Sequence, residues 1–157
     1  MKKQVIAIIG LGYWGTIVTN TLVSMNIFRK IYIYDSDYDK SKILIKKFGS
    51  KVDYLSLDEI KKNKQIKNIF LATPPKENFK ILNSLIDFNK NILIEKPGLI
   101  NSNHYKKIKK KLFLKKNKVS FGYIYIYNNY IRYIKKIIKS KKLGKIRYIN
   151  FQRQNFG

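Results

Sequence analysis

Gly10-Leu11-Gly12-Tyr13-Trp14-Gly15 reads G-x-G-x-x-G, follows the apolar run Val5–Ile9 and opens a segment with helical spacing. Asp35 stands 20 positions beyond Gly15, at the end of a second apolar run, Ile31–Tyr34. Glycines so placed suit a tight turn at Gly10, close backbone approach to a pyrophosphate at Gly12, and close packing of a helix on a sheet at Gly15. A helix N-terminus in that position offers free N–H groups and a positive dipole end to phosphates. A carboxylate at Asp35 suits the hydroxyls of an adjoining ribose and repels a 2′-phosphate, which favours NAD over NADP. No arginine follows it, only Ser36 and Asp37. The competing reading makes Asp35 a cap of the second helix. The full pattern of strand, glycines, helix and distant acid is a dinucleotide-binding signature. Tyr13 and Trp14 either wall that site or pack in the interior.

Composition narrows the remaining chemistry. The chain has no cysteine, which excludes disulfides, thiolate zinc sites and a cysteine nucleophile. Its one histidine, His104, cannot supply a histidine-rich metal site, so no metal is expected. At the start of a lysine-rich helix it reads as solvated surface. Absence of cysteine fits the cytoplasm. The formal charge is +25, carried by 30 lysines and only 4 arginines spread along the chain. Base and phosphate readout leans on the arginine fork. The charge therefore reads as a solvated surface rather than a specific nucleic-acid site, although weak adherence to polyanions at low salt is expected. Met1-Lys2-Lys3 before Val5–Ile9 faintly resembles a secretory leader, but the run is short and leads into the glycines, so it reads as a first strand. No stretch has the roughly 20 apolar residues that span a bilayer.

The elements that must position these residues alternate strand and helix. Strands are expected at Gln4–Ile9, Ile31–Tyr34, Val52–Leu55, Lys67–Ala72, Asn91–Glu95 and Val119–Gly122. The first helix runs from about Trp14 to Met25 and buries Val18, Leu22 and Met25. The second begins near Asp37 and stops at Gly49. Ser56-Leu57-Asp58-Glu59 has capping-box spacing. Pro75 suits the first turn of the helix that buries Phe79, Leu82 and Ile86. Tyr105, Ile108 and Leu112 share one face of a basic helix, which reads as a crossover helix rather than a membrane-surface one. The pattern predicts an α/β fold with a doubly wound parallel sheet. All three prolines, Pro74, Pro75 and Pro97, follow strands at the ends where ligands bind such sheets. After Gly122 the character changes. Tyr123–Tyr130 is tyrosine-rich, a helix follows with Ile131, Ile134 and Ile138 on one face, and Lys145–Gln154 reads as one more strand. Residues 1–121 are thus expected to form a dinucleotide-binding domain, and 122–157 the first helix and strand of an incomplete second α/β domain.

Four segments carry a family resemblance: Ile9-Gly10-Leu11-Gly12-Tyr13-Trp14-Gly15, Ala72-Thr73-Pro74-Pro75, Ile94-Glu95-Lys96-Pro97, and Gly122 with the aromatic stretch through Leu143-Gly144-Lys145-Ile146-Arg147-Tyr148. The chain resembles the N-terminal part of the Gfo/Idh/MocA oxidoreductases. The resemblance implies a Rossmann domain that binds NAD, with Thr73 and Pro74 at the cofactor and Lys96 in a catalytic or orienting role at a substrate hydroxyl. Glu95 either bonds the nicotinamide ribose or pairs with Lys96. Lys96 and Tyr123 are the expected substrate contacts, and the substrate is expected to be a sugar or nucleotide sugar. Family members are about twice as long, with a second domain that supplies an Asp–His proton-transfer motif and an interface between subunits. This chain is expected to be a fragment that ends before that motif, inactive alone, with full-length relatives forming homo-oligomers. Two positions depart from the family pattern: Asn78 where a histidine is frequent, and Gly122-Tyr123 where Gly-His is frequent. A stand-alone nucleotide-binding or sensing module is the alternative.

Overall fold

The computed structural model describes residues 4–115, 117–152 and 154. The described residues up to Gly122 form one compact unit and those from Tyr123 onward a second. The first unit alternates β1 (Val5–Ile9), α1 (Tyr13–Met25), β2 (Lys30–Tyr34), α2 (Tyr38–Phe48), β3 (Val52–Tyr54), α3 (Leu57–Lys62), β4 (Ile66–Leu71), α4 (Pro75–Leu85), β5 (Asn91–Ile94), α5 (Ser102–Phe113) and β6 (Val119–Phe121). The strands form one sheet in the order β3-β2-β1-β4-β5-β6, and every pairing is parallel. The sheet is thus the doubly wound one expected. Its strand order reverses between β1 and β4, where such sheets open a crevice at their carboxyl ends.

The residues explain the layers. All five side chains of β1 are buried, as a central parallel strand covered on both faces requires. They alternate between two cores. Val5, Ala7 and Ile9 join Ile69, Leu71, Ile92 and Ile94 with Leu82 and Leu85 of α4 and Ile108 of α5. Ile6 and Ile8 join Ile31, Ile33 and Phe70 with Val18 and Leu22 of α1 and Leu44 of α2. Met25, expected inside, is 56 % exposed; it is the last residue of α1, and Val23 packs on that core instead. The capping box of α3 is formed. Ser56 Oγ accepts from the Glu59 amide, and the Glu59 carboxylate accepts from the Ser56 amide.

Lys90 is an unusual member of this interior, at 2 % exposed. Its Nζ donates to the carbonyls of Asn63 (2.6 Å) and Ile66 (2.8 Å), tying the entry of β5 to the C-terminal end of α3 and the start of β4. Burial, with a smaller contribution from nearby Lys67, pushes its pKa below the usual lysine range.

In the second unit, α6 (Asn129–Lys139) is capped by Asn128, whose Oδ1 accepts from the amides of Tyr130 and Ile131. The expected strand Lys145–Gln154 is not formed: residues 145–152 and 154 carry no strand, and Arg153 lies outside the described residues. A strand without a neighbour leaves its amides and carbonyls unpaired, and apolar alternation alone does not compensate.

Candidate functional site

The loops after β1, β2, β4 and β5 line a cavity of about 890 Å³. That is within the range of small-molecule and cofactor sites. Three glycines shape its first wall, each for a different reason. Gly10 has φ +91°, and a Cβ there would sit 2.7 Å from the Ala72 carbonyl carbon. A Cβ on the buried Gly15 would overlap the Gly10 carbonyl oxygen, so α1 packs against the β1 exit only without one. Gly12 is the opposite case: it lines the cavity, and a Cβ there would meet no protein atom within 4 Å. The protein's own packing does not demand glycine at Gly12, whereas a ligand lying on the backbone does.

Gly12 is also the N-cap of α1 and provides no side-chain cap. The first intrahelical bond is Thr16 N–H to the Gly12 carbonyl, at 3.0 Å. The amides of residues 13–15 precede it, and such first-turn donors have no partner inside their own helix. α1 carries no acidic residue in its first turn, as is also true of α5 and α6, whereas α2, α3 and α4 each carry at least one. A helix N-terminus of this kind can take an external anion. Tyr13 (77 % exposed) and Trp14 (48 %) stand at the cavity with rings edge-to-face, 5.6 Å apart, and so belong to its wall rather than to the core.

Asp35 closes the second wall. Its Oδ2 accepts from the Leu11 amide at 2.6 Å, in the middle of the glycine loop. Its Oδ1 accepts from the Asp37 amide at 2.9 Å and faces Lys40 Nζ at 3.4 Å. Burial on its own would raise this carboxyl's pKa; the Leu11 and Asp37 amides and the Lys40 ammonium outweigh it and hold the group below the usual carboxylate range. Asp35 is not the cap of α2: that is Asp37, whose side chain accepts from the Asp39 amide. An ionised carboxylate offers about four lone-pair sites, so Asp35 keeps acceptor capacity toward the cavity.

Glu95 and Lys96 both line the cavity from a turn in which the Gly98 amide donates to the Glu95 carbonyl at 3.1 Å and the Lys96–Pro97 peptide is cis. Side chains pin the backbone of residues 97–99. Tyr105 Oη donates to the Pro97 carbonyl (3.2 Å) and accepts from the Leu99 amide (3.4 Å), while Asn78 Nδ2 donates to the Gly98 carbonyl (2.7 Å). Lys96 is exposed and Glu95 half-buried. Among the described residues Glu95 makes no ion pair with Lys96. Thr73 and Pro74, between β4 and α4, complete the lining named from the sequence. Tyr123 belongs to the second unit and is 47 % exposed.

Sequence reasoning missed the cations Lys40, Lys61 and Lys80, which line the same cavity. The only signal was weak: Lys40 and Lys61 lie three residues after Asp37 and Asp58, their partners at 3.8 and 2.9 Å. The structural role of Asn78 was also missed. His104 is not solvated surface but half-buried, its ring stacked on Phe79 with centroids 3.7 Å apart, because α5 packs on α4 there. Among the described residues no cluster of three or more His, Cys, Asp or Glu could hold a metal. No described helix is long and apolar enough to cross a membrane.

The fold is similar to that of several solved enzymes. Scyllo-inositol dehydrogenase from Lactobacillus casei, with bound NAD(H) and scyllo-inositol, superposes with a TM-score of 0.76 at 18% identity, over 91% of this chain and 43% of that one. GenD2 from gentamicin A biosynthesis, in complex with NAD, gives 0.76 at 19% identity over 90% and 40%. UDP-N-acetylglucosamine 3-dehydrogenase from Acidithiobacillus ferrooxidans gives 0.71 at 14% identity over 87% and 44%. The chain thus spans about two fifths of the length of these structures. A comparison with curated protein sequences finds no significant match. Residues 5–123 match the family described as an oxidoreductase family with an NAD-binding Rossmann fold. With that match over most of its length, the chain belongs to the Gfo/Idh/MocA oxidoreductases and carries their NAD-binding domain.

Proposed function

We propose that this chain is the cofactor half of an oxidoreductase that moves hydride between NAD and a hydroxyl of a sugar-like substrate. The observation that carries the reading is the combination at the β1 exit: a glycine whose Cβ would meet no protein atom, a helix N-terminus without acid, and a carboxylate bonded to the same loop. In this reading Gly10, Gly12 and the first turn of α1 take the pyrophosphate, and Asp35 takes the adenosine ribose. Tyr13, Trp14, Thr73, Pro74 and Glu95 line the rest of the cofactor path. Gly15 serves by letting α1 approach. The nicotinamide, when bound, supplies the hydride acceptor. Lys96 sits at the end of β5 on a pinned turn, where its ammonium holds a substrate hydroxyl oxygen and stabilises the negative charge that develops there.

Asp35 supports NAD over NADP. Its carboxylate is held ionised, and a 2′-phosphate beside it would meet like charge in a partly buried site. The substrate class rests on neighbours whose names include inositol and UDP-N-acetylglucosamine dehydrogenases. The 157 residues span about two fifths of those structures, and what the reading gives them is cofactor binding. Calorimetric titration tests it. NAD should bind, and NADP should bind at least tenfold more weakly; no heat from either cofactor would remove the reading.

A further inference from the structure

Asn78 is 1 % exposed and lies between two elements of the cavity wall. Its Nδ2 donates to the Gly98 carbonyl at 2.7 Å, and its Oδ1 accepts from Thr73 Oγ1 at 2.7 Å. The orientation of the amide follows from chemistry. A backbone carbonyl has only lone pairs, so the amide nitrogen must face Gly98, and the oxygen is left for Thr73. A flipped amide would set two oxygens against each other at hydrogen-bond distance. The Thr73 hydroxyl has a single hydrogen, and it is used on Asn78. What Thr73 has left are lone pairs, and Thr73 lines the cavity.

We infer that Asn78 fixes Thr73 as an acceptor-only group of the cavity wall, so that Thr73 Oγ1 receives a hydrogen bond from a donor of the bound dinucleotide, a ribose hydroxyl, and turns phosphate oxygens away. This rests on the dinucleotide reading above. It divides the cavity by polarity. The first-turn amides of α1 donate to phosphate, while Asp35 and Thr73 accept from hydroxyls. Asn78 is a positioning residue in this scheme. It sets the polarity of Thr73 and holds the turn that bears Glu95 and Lys96. A titratable or freely rotating side chain in its place would not set that polarity.

The test is calorimetric titration of the 157-residue chain with NAD. Thr73→Ser keeps the hydroxyl and should bind within twofold of the parent chain. Thr73→Val removes it and should bind about five- to tenfold more weakly. Equal affinity in Thr73→Val, or equal loss in both variants, overturns the inference while leaving the dinucleotide reading intact. No heat from the parent chain removes that reading and this inference with it. Thr73→Val also leaves Asn78 Oδ1 without its donor and should melt lower, so a second readout uses the unsubstituted protein. In NMR spectra the Thr73 hydroxyl proton should keep its Overhauser contact to the Asn78 side chain when NAD is added. Scalar coupling of that proton to cofactor phosphorus would show Thr73 donating to phosphate and would overturn the proposal.

Discussion

The same substitution at two glycines of one loop should separate folding from binding. Gly12 has φ −66° and ψ −166°, extended backbone open to any residue, and an added Cβ meets no protein atom. Gly12→Ala gains about 0.4–1 kcal/mol by restricting the unfolded chain and loses a comparable amount because alanine is a poor N-cap. Its stability should therefore lie within about 0.5 kcal/mol of the parent. The methyl group would stand where the pyrophosphate meets the first-turn amides. Losing one hydrogen bond to a charged group costs about 1.5–3 kcal/mol, a roughly 10- to 150-fold weaker affinity for NAD. Gly15→Ala is the converse. Its Cβ overlaps the Gly10 carbonyl oxygen, which is backbone and cannot turn aside. Separating α1 from β1 should cost about 3 kcal/mol, the upper part of the range for overpacked interiors. Urea denaturation gives the stabilities and calorimetry the affinities. A Gly12→Ala protein that folds normally and binds NAD as tightly as its parent would refute the assignment of this loop to phosphate.

Asp35→Asn should cost about 1–2 kcal/mol at neutral pH, since one amide oxygen replaces two carboxylate oxygens that hold the Leu11 and Asp37 amides. The native carboxyl is held below its unfolded value, so its contribution is complete above about pH 3.9 and fades as the pH falls further. Urea melts of the variant should lack that part of the acid-induced loss. Lys90 titrates below its unfolded value, so the unfolded chain binds more protons and stability should climb as the pH rises toward about 10.4. Lys90→Met should abolish that climb in alkaline denaturation series and cost about 2 kcal/mol at pH 7, because two buried carbonyls lose their donor. Lys96→Met, at an exposed side chain, should leave stability within about 0.5 kcal/mol and NAD affinity within about threefold by calorimetry; a large loss of cofactor affinity would move Lys96 from the substrate to the cofactor.

What could be read from the chain depended on how local its cause was. The glycines at 10 and 15 answer to a backbone dihedral and to immediate neighbours, the turn and the helix packing that their spacing implied, whereas nothing in the chain's own packing requires glycine at 12. The strands came out within a residue or two, because continuous apolar runs between turn residues suit a sheet covered on both faces. Residues 145–152 and 154 had a strand-like sequence but pair with no strand among the described residues, and pairing is not a property of the segment itself. His104 looked solvated among lysines, yet its ring found Phe79 on another helix. Lys40, Lys61 and Lys80 meet at the cavity, and Asn78 bonds Thr73 of its wall to the Gly98 carbonyl, only because α2, α3 and α4 follow the carboxyl ends of parallel strands, and no periodicity along the chain announces that convergence.

The 2.6 Å bond from the Leu11 amide to Asp35 has a consequence for redesign. In the proposed reading, one carboxylate discriminates between cofactors and also latches the loop that must accept either of them. An engineer who swaps the acid to admit a phosphorylated nucleotide therefore unfastens the loop in the same stroke. A successful change of preference needs a second residue that restores an acceptor for Leu11, and variants chosen at position 35 alone should trade selectivity for a slacker grip on every dinucleotide.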